Sequence, residues 1–136
     1  MLEYEINAQW QEVFNSVDEI GKILRTDAIT KNFNPRAEYG RLLTIACGCY
    51  VYLVTEYKRW RAIKENNEVN KYVMLKNDPT LTAKFVSATA DRESSAFVSK
   101  ERYYRDILEG YTLACEAIIN TLKKFIDSDK KEEKYT

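Results

Sequence analysis

Apolar residues recur along this chain at helical spacing. Between residues 6 and 24, Ile6, Trp10, Val13, Val17, Ile20 and Leu24 follow at alternating steps of four and three. That spacing is a stripe on one helix face, and Phe14 widens it. The pattern lapses from Thr26 to Asn34, where threonines, asparagines and Asp27 predict a loop anchored by Ile29 and Phe33. Asn34-Pro35 then reads as a helix start, Asn capping and Pro in the first turn. No proline interrupts the chain from there to about Lys76. The stretch predicts one helix of roughly 40 residues, about 60 Å long at 1.5 Å per residue.

This central helix changes character along its length. Tyr39, Leu42, Leu43, Ala46, Tyr50, Leu53, Val54, Tyr57 and Trp60 fall in one band, with Ile45, Cys49, Tyr52 and Ile63 beside it. Two apolar bands call for more than one covering neighbour. Beyond Trp60 the same line of the helix continues as Arg61, Lys64, Glu68 and Lys71, which a helix buried along its whole length would not do. Asn77-Asp78-Pro79 ends the helix and is expected to start a short one over residues 80–90, with Leu81, Phe85 and Val86 inward. From Ser99, Tyr104, Leu108, Tyr111, Cys115, Ile118, Leu122 and Phe125 repeat at steps of four and three. They predict a final helix of roughly 28 residues with the 3.5 period of left-handed packing. Gly110, Ala114 and Ala117 are small enough to let another helix approach closely.

The fold class is therefore all-α: an antiparallel long-helix hairpin with an additional N-terminal helix and a short connecting helix. Residues 1–33 form the N-terminal helix and loop, 34–127 the hairpin and 128–136 a frayed tail, all within a single domain. The last helix comes out shorter than the central one. The surplus of the central helix must project, pair with the 80–90 segment, or meet another subunit.

Composition excludes more than it selects. With 45% apolar and 31% charged residues in 136, the chain is globular. Three cysteines without CxxC spacing and no histidine leave no zinc constellation. Cys47 and Cys49 point about 200° apart on a helix, and reduced core thiols of a cytoplasmic protein are expected. No Gly-rich phosphate loop or nucleophile elbow is present. Glu101, Asp106, Glu109 and Glu116 read as a solvated helix face rather than a metal site. No catalytic residue, metal or cofactor is expected, and the chain is not read as an enzyme. The apolar run Leu42–Val54 spans only 13 residues, short for a membrane helix, and no basic segment followed by an apolar run marks a secretion signal.

Charge then sharpens the picture. Lysines and arginines equal aspartates and glutamates at 21 each, but residues 1–30 carry two basic against six acidic groups, a net of −4. Residues 57–76 carry six against two, a net of +4. The candidate binding residues are Tyr57, Lys58, Arg59, Trp60, Arg61, Lys64 and Lys71, with Tyr72 nearby. Cations neutralise phosphates and aromatic rings stack on unpaired bases, so this interleaving suits a single-strand binder. The competing reading places Tyr57 and Trp60 in the core stripe, the cations being an ordinary wet face with their stems on apolar neighbours. Lys100, Arg102, Tyr103 and Arg105 would extend the surface if the hairpin brought them near. The acidic N-terminal helix either packs in place or shields the basic segment.

The layout of residues 36–127 resembles the single-strand-binding recombination mediators of T4-type phages. The shared elements are the basic stretch Tyr57–Lys64, a variable segment over 77–98, and a final helix carrying Tyr104, Leu108, Ala114-Cys115-Glu116-Ala117-Ile118 and Lys123-Lys124. The acidic N-terminal helix lies outside the resemblance. It implies a non-enzymatic homo-oligomer, in the host cell cytoplasm, that binds single-stranded DNA and helps load a recombinase onto strand coated with a single-strand-binding protein. Lys58, Arg59, Arg61 and Lys64 match the family's basic stretch and would contact phosphates. The alternative is a helical protein-protein interaction module, such as a small phage-borne inhibitor of a host or defence complex.

Overall fold

The structure is a computed structural model that describes residues 4–26, 29, 34–80 and 85–135. Among the described residues four helices follow in order: α1 (Ala8–Leu24), α2 (Pro35–Lys76), α3 (Ser87–Phe97) and α4 (Ser99–Tyr135). No strand occurs among the described residues. The all-α class with a long helix pair and an N-terminal helix is as the periodicity predicts.

The first helix begins at Ala8 because Asn7 caps it, its Oδ1 accepting the Gln9 N–H at 2.7 Å. Trp10, Phe14, Val17 and Ile20 are buried, the stripe that the spacing marks out. Ile29, in the following loop, is buried as expected of an anchor; Phe33 lies outside the described residues. Asn34 caps α2 as predicted, with its Oδ1 3.2 Å from the Ala37 N–H.

The connecting helix is displaced from its predicted place. Asp78 Oδ1 accepts the backbone N–H (2.9 Å) of Thr80, the bond that a cap makes, and the Thr80 hydroxyl (2.7 Å), but Pro79 and Thr80 form a turn rather than a helix. Those two bonds close a local turn and depress the Asp78 pKa. The helix instead covers Ser87–Phe97, buries Ala90 and Ser94, and leaves Val86 outside and exposed. Phe85 is half-buried, its ring edge-on to Tyr72 at 6.0 Å, while Leu81 lies outside the described residues. Only Val98 separates α3 from α4. Its backbone leaves the helical region (φ −103°, ψ 26°) and its side chain is fully buried, so a packed valine fixes the joint. The last helix, 37 residues long, continues through the charged stretch after Ile126, where mixed lysines and glutamates favour helix and no glycine or proline ends it.

The chain divides into two compact units, through both of which α2 and α4 pass. The α1 unit comprises Glu5–Val54 and Glu109–Thr136; the α3 unit comprises Met1–Tyr4 and Thr55–Leu108. In the α1 unit α2 and α4 run antiparallel, with Tyr39 against Phe125 (5.3 Å between centroids) and the Cys115 thiol donating to the Ala46 carbonyl at 3.1 Å. Phe14 of α1 stacks on Tyr111 of α4 at 4.1 Å and 7°, and the Tyr111 hydroxyl donates to Asp18. Fully burying Leu42, Leu53 or Leu122 stabilises the fold by about 1.5–3 kcal/mol each.

Two expectations are corrected here. The apolar first half of α2 is covered on one broad side only: Ile45 is exposed and Val51 is 66% exposed. The cysteines are not all core residues, since Cys115 is buried but Cys47 is exposed. Gly110, Ala114 and Ala117 are exposed too, and a Cβ on Gly110 would meet nothing. The close approach of α2 and α4 is made at Ala46 and Cys115 instead.

Candidate nucleic-acid interface

Antiparallel pairing continues within the α3 unit, where Trp60 meets Tyr104, Asn67 meets Glu101 and Lys71 meets Phe97. The part of α2 that outruns an expected 28-residue final helix is therefore paired with α3 and the start of α4. This register explains the change from apolar to charged residues beyond Trp60.

Lys64 is mostly buried, its side chain 15% exposed, and its Nζ donates to Glu68 Oε1 at 3.1 Å. The other Glu68 oxygen lies 3.8 Å from Arg102 Nη2. The same nitrogen donates to the Ser95 carbonyl at 3.0 Å and to the Ser95 hydroxyl. Asn67 Nδ2 donates to Glu101 Oε1 at 3.3 Å. Lysine, glutamate and arginine thus form a polar layer between α2 and the α3–α4 joint. Opposite charges placed together lower the cost of burying each. Lys71 is half-buried, with Nζ 5.1 Å from the Phe97 ring centroid. The two lysines furthest along the predicted basic row are accordingly engaged within the chain.

The other candidates stand nearer to solvent. Lys58, Arg59 and Arg61 are exposed, while Tyr57 and Trp60 are half-buried. Arg59 pairs with Glu56 at 3.2 Å and Arg61 with Glu65 at 3.3 Å, both arginines about three-fifths exposed. Exposed pairs of this kind contribute about 0–1 kcal/mol and exchange easily for another anion. Successive helical residues point about 100° apart, so the three cations do not share one face. Lys58 and Arg61 neighbour each other, and Arg59 lies on the other side of the Trp60 position.

At Arg59 the residues converge. Its guanidinium sits 5.7 Å from the Trp60 ring centroid, and the Trp60 ring meets Tyr104 edge-on at 4.9 Å. Lys100 Nζ lies 5.7 Å from the Tyr104 centroid, and Tyr103, 39% exposed, adjoins Tyr104 at 5.9 Å. Tyr4 completes the group, 5.3 Å from Tyr103 and 6.2 Å from Tyr104. Four aromatic rings and two cations drawn from α2, α4 and the N-terminal segment therefore meet in one unit. Trp60 and Tyr104 form the packed base of the cluster, Tyr103 its most open ring, and Arg59 and Lys100 its charges.

Of the four residues considered as extensions, Lys100 and Tyr103 join the cluster. Arg102 turns into the polar layer, and Arg105 pairs with its neighbour Asp106 at 2.7 Å. The i,i+4 spacing of Lys100 and Tyr104 was a readable signal for this part of the site. Tyr4, a lone aromatic far away in sequence, offered none.

Among the described residues no three His, Cys, Asp or Glu side chains come together to hold a metal ion, and no helix is long and apolar enough to cross a membrane. No family model, curated protein or solved structure matches this chain.

Proposed function

We propose that this chain is a non-enzymatic accessory protein that binds single-stranded DNA through the aromatic and cationic cluster of its α3 unit. The convergence of Arg59, Trp60, Lys100, Tyr103 and Tyr104 from two helices carries the reading. A single strand offers unpaired π faces and a line of phosphates. The open Tyr103 ring supplies a stacking surface, worth roughly 1–3 kcal/mol per base. Arg59 beside Trp60 and Lys100 beside Tyr104 supply positive charge for the strand's phosphates. The resemblance to phage recombination mediators supports the wider role: a cytoplasmic oligomer that helps load a recombinase onto strand held by another single-strand-binding protein.

Titration of a fluorescent oligo-dT at two salt concentrations tests the reading. Wild type is expected to bind at low salt with a negative salt slope. Changing Arg59 and Lys100 together to alanine is expected to flatten the slope by about 1.4, since each phosphate no longer neutralised removes about 0.7. No binding by wild type at low salt contradicts the reading. An unchanged slope in the double variant contradicts the site.

Exposed apolar residues favour a second reading. In the α1 unit Ile45, Val51, Leu113 and Phe125 are each exposed, apolar area that a protein partner would cover. It fits an interaction module, such as an inhibitor of a host or defence complex, in which the α3 unit has no nucleic acid to hold.

A further inference from the structure

The ring most closely applied to Tyr103 belongs to the N-terminal segment. Tyr4 belongs to the α3 unit, although only four residues of that unit precede Thr55. Its ring is tilted 52° against Tyr103 at 5.3 Å and approaches Tyr104 at 64° and 6.2 Å. Its hydroxyl lies 3.1 Å from Ser99 Oγ, in a solvent-exposed hydrogen bond at the start of α4. No periodic stripe calls for an aromatic residue at this position. The buried face of α1 begins at Trp10.

We infer that Tyr4 is an autoinhibitory strap: it occupies the place of a base on the Tyr103–Tyr104 surface and must leave before a single strand can stack there. The inference rests on the reading of that cluster as a single-strand platform and adds its regulation. A tyrosine ring is a fair substitute for a base, since both offer a flat π surface and a polar edge. One tilted ring contact, one edge-on contact and one exposed hydrogen bond hold it. None of these approaches the parallel 4.1 Å stacking of Phe14 on Tyr111 in the α1 unit. A strand that stacks on Tyr103 and also pairs its phosphates with Arg59 and Lys100 makes interactions that Tyr4 does not. The strap therefore sets a threshold. When only a fraction of molecules has the surface open, the apparent affinity is reduced by that fraction.

The test compares oligo-dT binding by the full chain and by Tyr4→Ala and Tyr4→Phe. Loss of the ring is expected to tighten binding about three- to tenfold, by raising the open fraction. Loss of the hydroxyl alone should tighten it less. In a third sample 3-fluorotyrosine replaces Tyr4, and its fluorine resonance should move to the position of a free tyrosine as oligo-dT is added. Unchanged or weaker binding by Tyr4→Ala, or a fluorine line that does not move at saturation, overturns the strap. If wild type binds while Tyr4→Ala binds equally, the platform stands and the strap alone falls. If neither binds at low salt, both fall.

Discussion

The two units share α2 and α4 but are built on opposite principles. In the α1 unit Trp10, Phe14, Leu42, Leu53, Cys115 and Leu122 are buried, and the bond of Tyr111 to Asp18 lies at its exposed edge. In the α3 unit the corresponding line of α2 carries Lys64 and Glu68, and the facing surface offers Ser95 and Arg102. Its third helix buries only Ala90 and Ser94. A dry core supplies stability without regard to chemistry. A layer of paired charges contributes little net stability, and the unit that carries it also presents the aromatic rings and exposed cations. In the proposed function, stability and recognition are thus divided along the length of the same two helices.

The sharpest way to break this contrast is to remove volume from the dry core. Leu122→Ala should cost about 2–5 kcal/mol of unfolding free energy in a urea titration, without altering the oligonucleotide affinity of the folded protein. A loss of binding in proportion to the loss of stability would erase the distinction between the units.

Removing Glu68 examines the wet layer. Glu68→Ala leaves the mostly buried Lys64 ammonium without its carboxylate and should cost about 1–3 kcal/mol. Exchanging Lys64 and Glu68 together for methionine and leucine should recover most of that loss. An unchanged midpoint in Glu68→Ala would show that the layer is solvated and contributes nothing.

Alkali should be felt first in the dry unit. Burial pushes the Cys115 thiol from the ordinary 9.0 up to about 12, and burial followed by its bond to Asp18 raises Tyr111. In both cases the folded state keeps a proton that the unfolded state gives up sooner. The stability they contribute is complete below pH 9 and is lost as pH rises towards 12. The urea midpoint should fall over that range, and Cys115→Ser should shallow the fall.

Ser94 offers the smallest effect. Its side chain is 2% exposed and its hydroxyl finds no hydrogen-bond partner among the described residues. Ser94→Ala should therefore be neutral or stabilising by up to about 1 kcal/mol, whereas an alanine at an ordinary bonded serine would destabilise.

Much of the fold could be read from local signals. The Asn34-Pro35 start of α2, its end at Lys76 and the 3.5-residue stripe of α4 depend on capping chemistry and periodicity, which neighbours in sequence carry. The connecting helix could not be placed that way: Asp78 takes the Thr80 N–H as a cap would, yet the helix begins only at Ser87, where Val86 stands at the N-cap position and makes no side-chain bond. Exposure of Cys47 and Val51 was equally hidden, since a helix that is apolar all round does not say which side its neighbours cover. In the site, Arg59 and Trp60 were legible from their interleaving. The fate of Lys64 was not, because the charge that draws its partner Glu68 inward is Arg102, which lies on another helix. Tyr4 was beyond reach for the same reason: its approaches to Ser99, Tyr103 and Tyr104 are tertiary.

Ultraviolet crosslinking of the full chain to single-stranded oligo-dT, followed by peptide mapping, tests most directly whether recognition belongs to the α3 unit. Crosslinks are predicted at Tyr103, the most open ring of the cluster, and at Trp60, whose ring lies beside Arg59, and none between residues 8 and 54. Crosslinks confined to the α1 unit, or none at saturating oligonucleotide, would contradict the account.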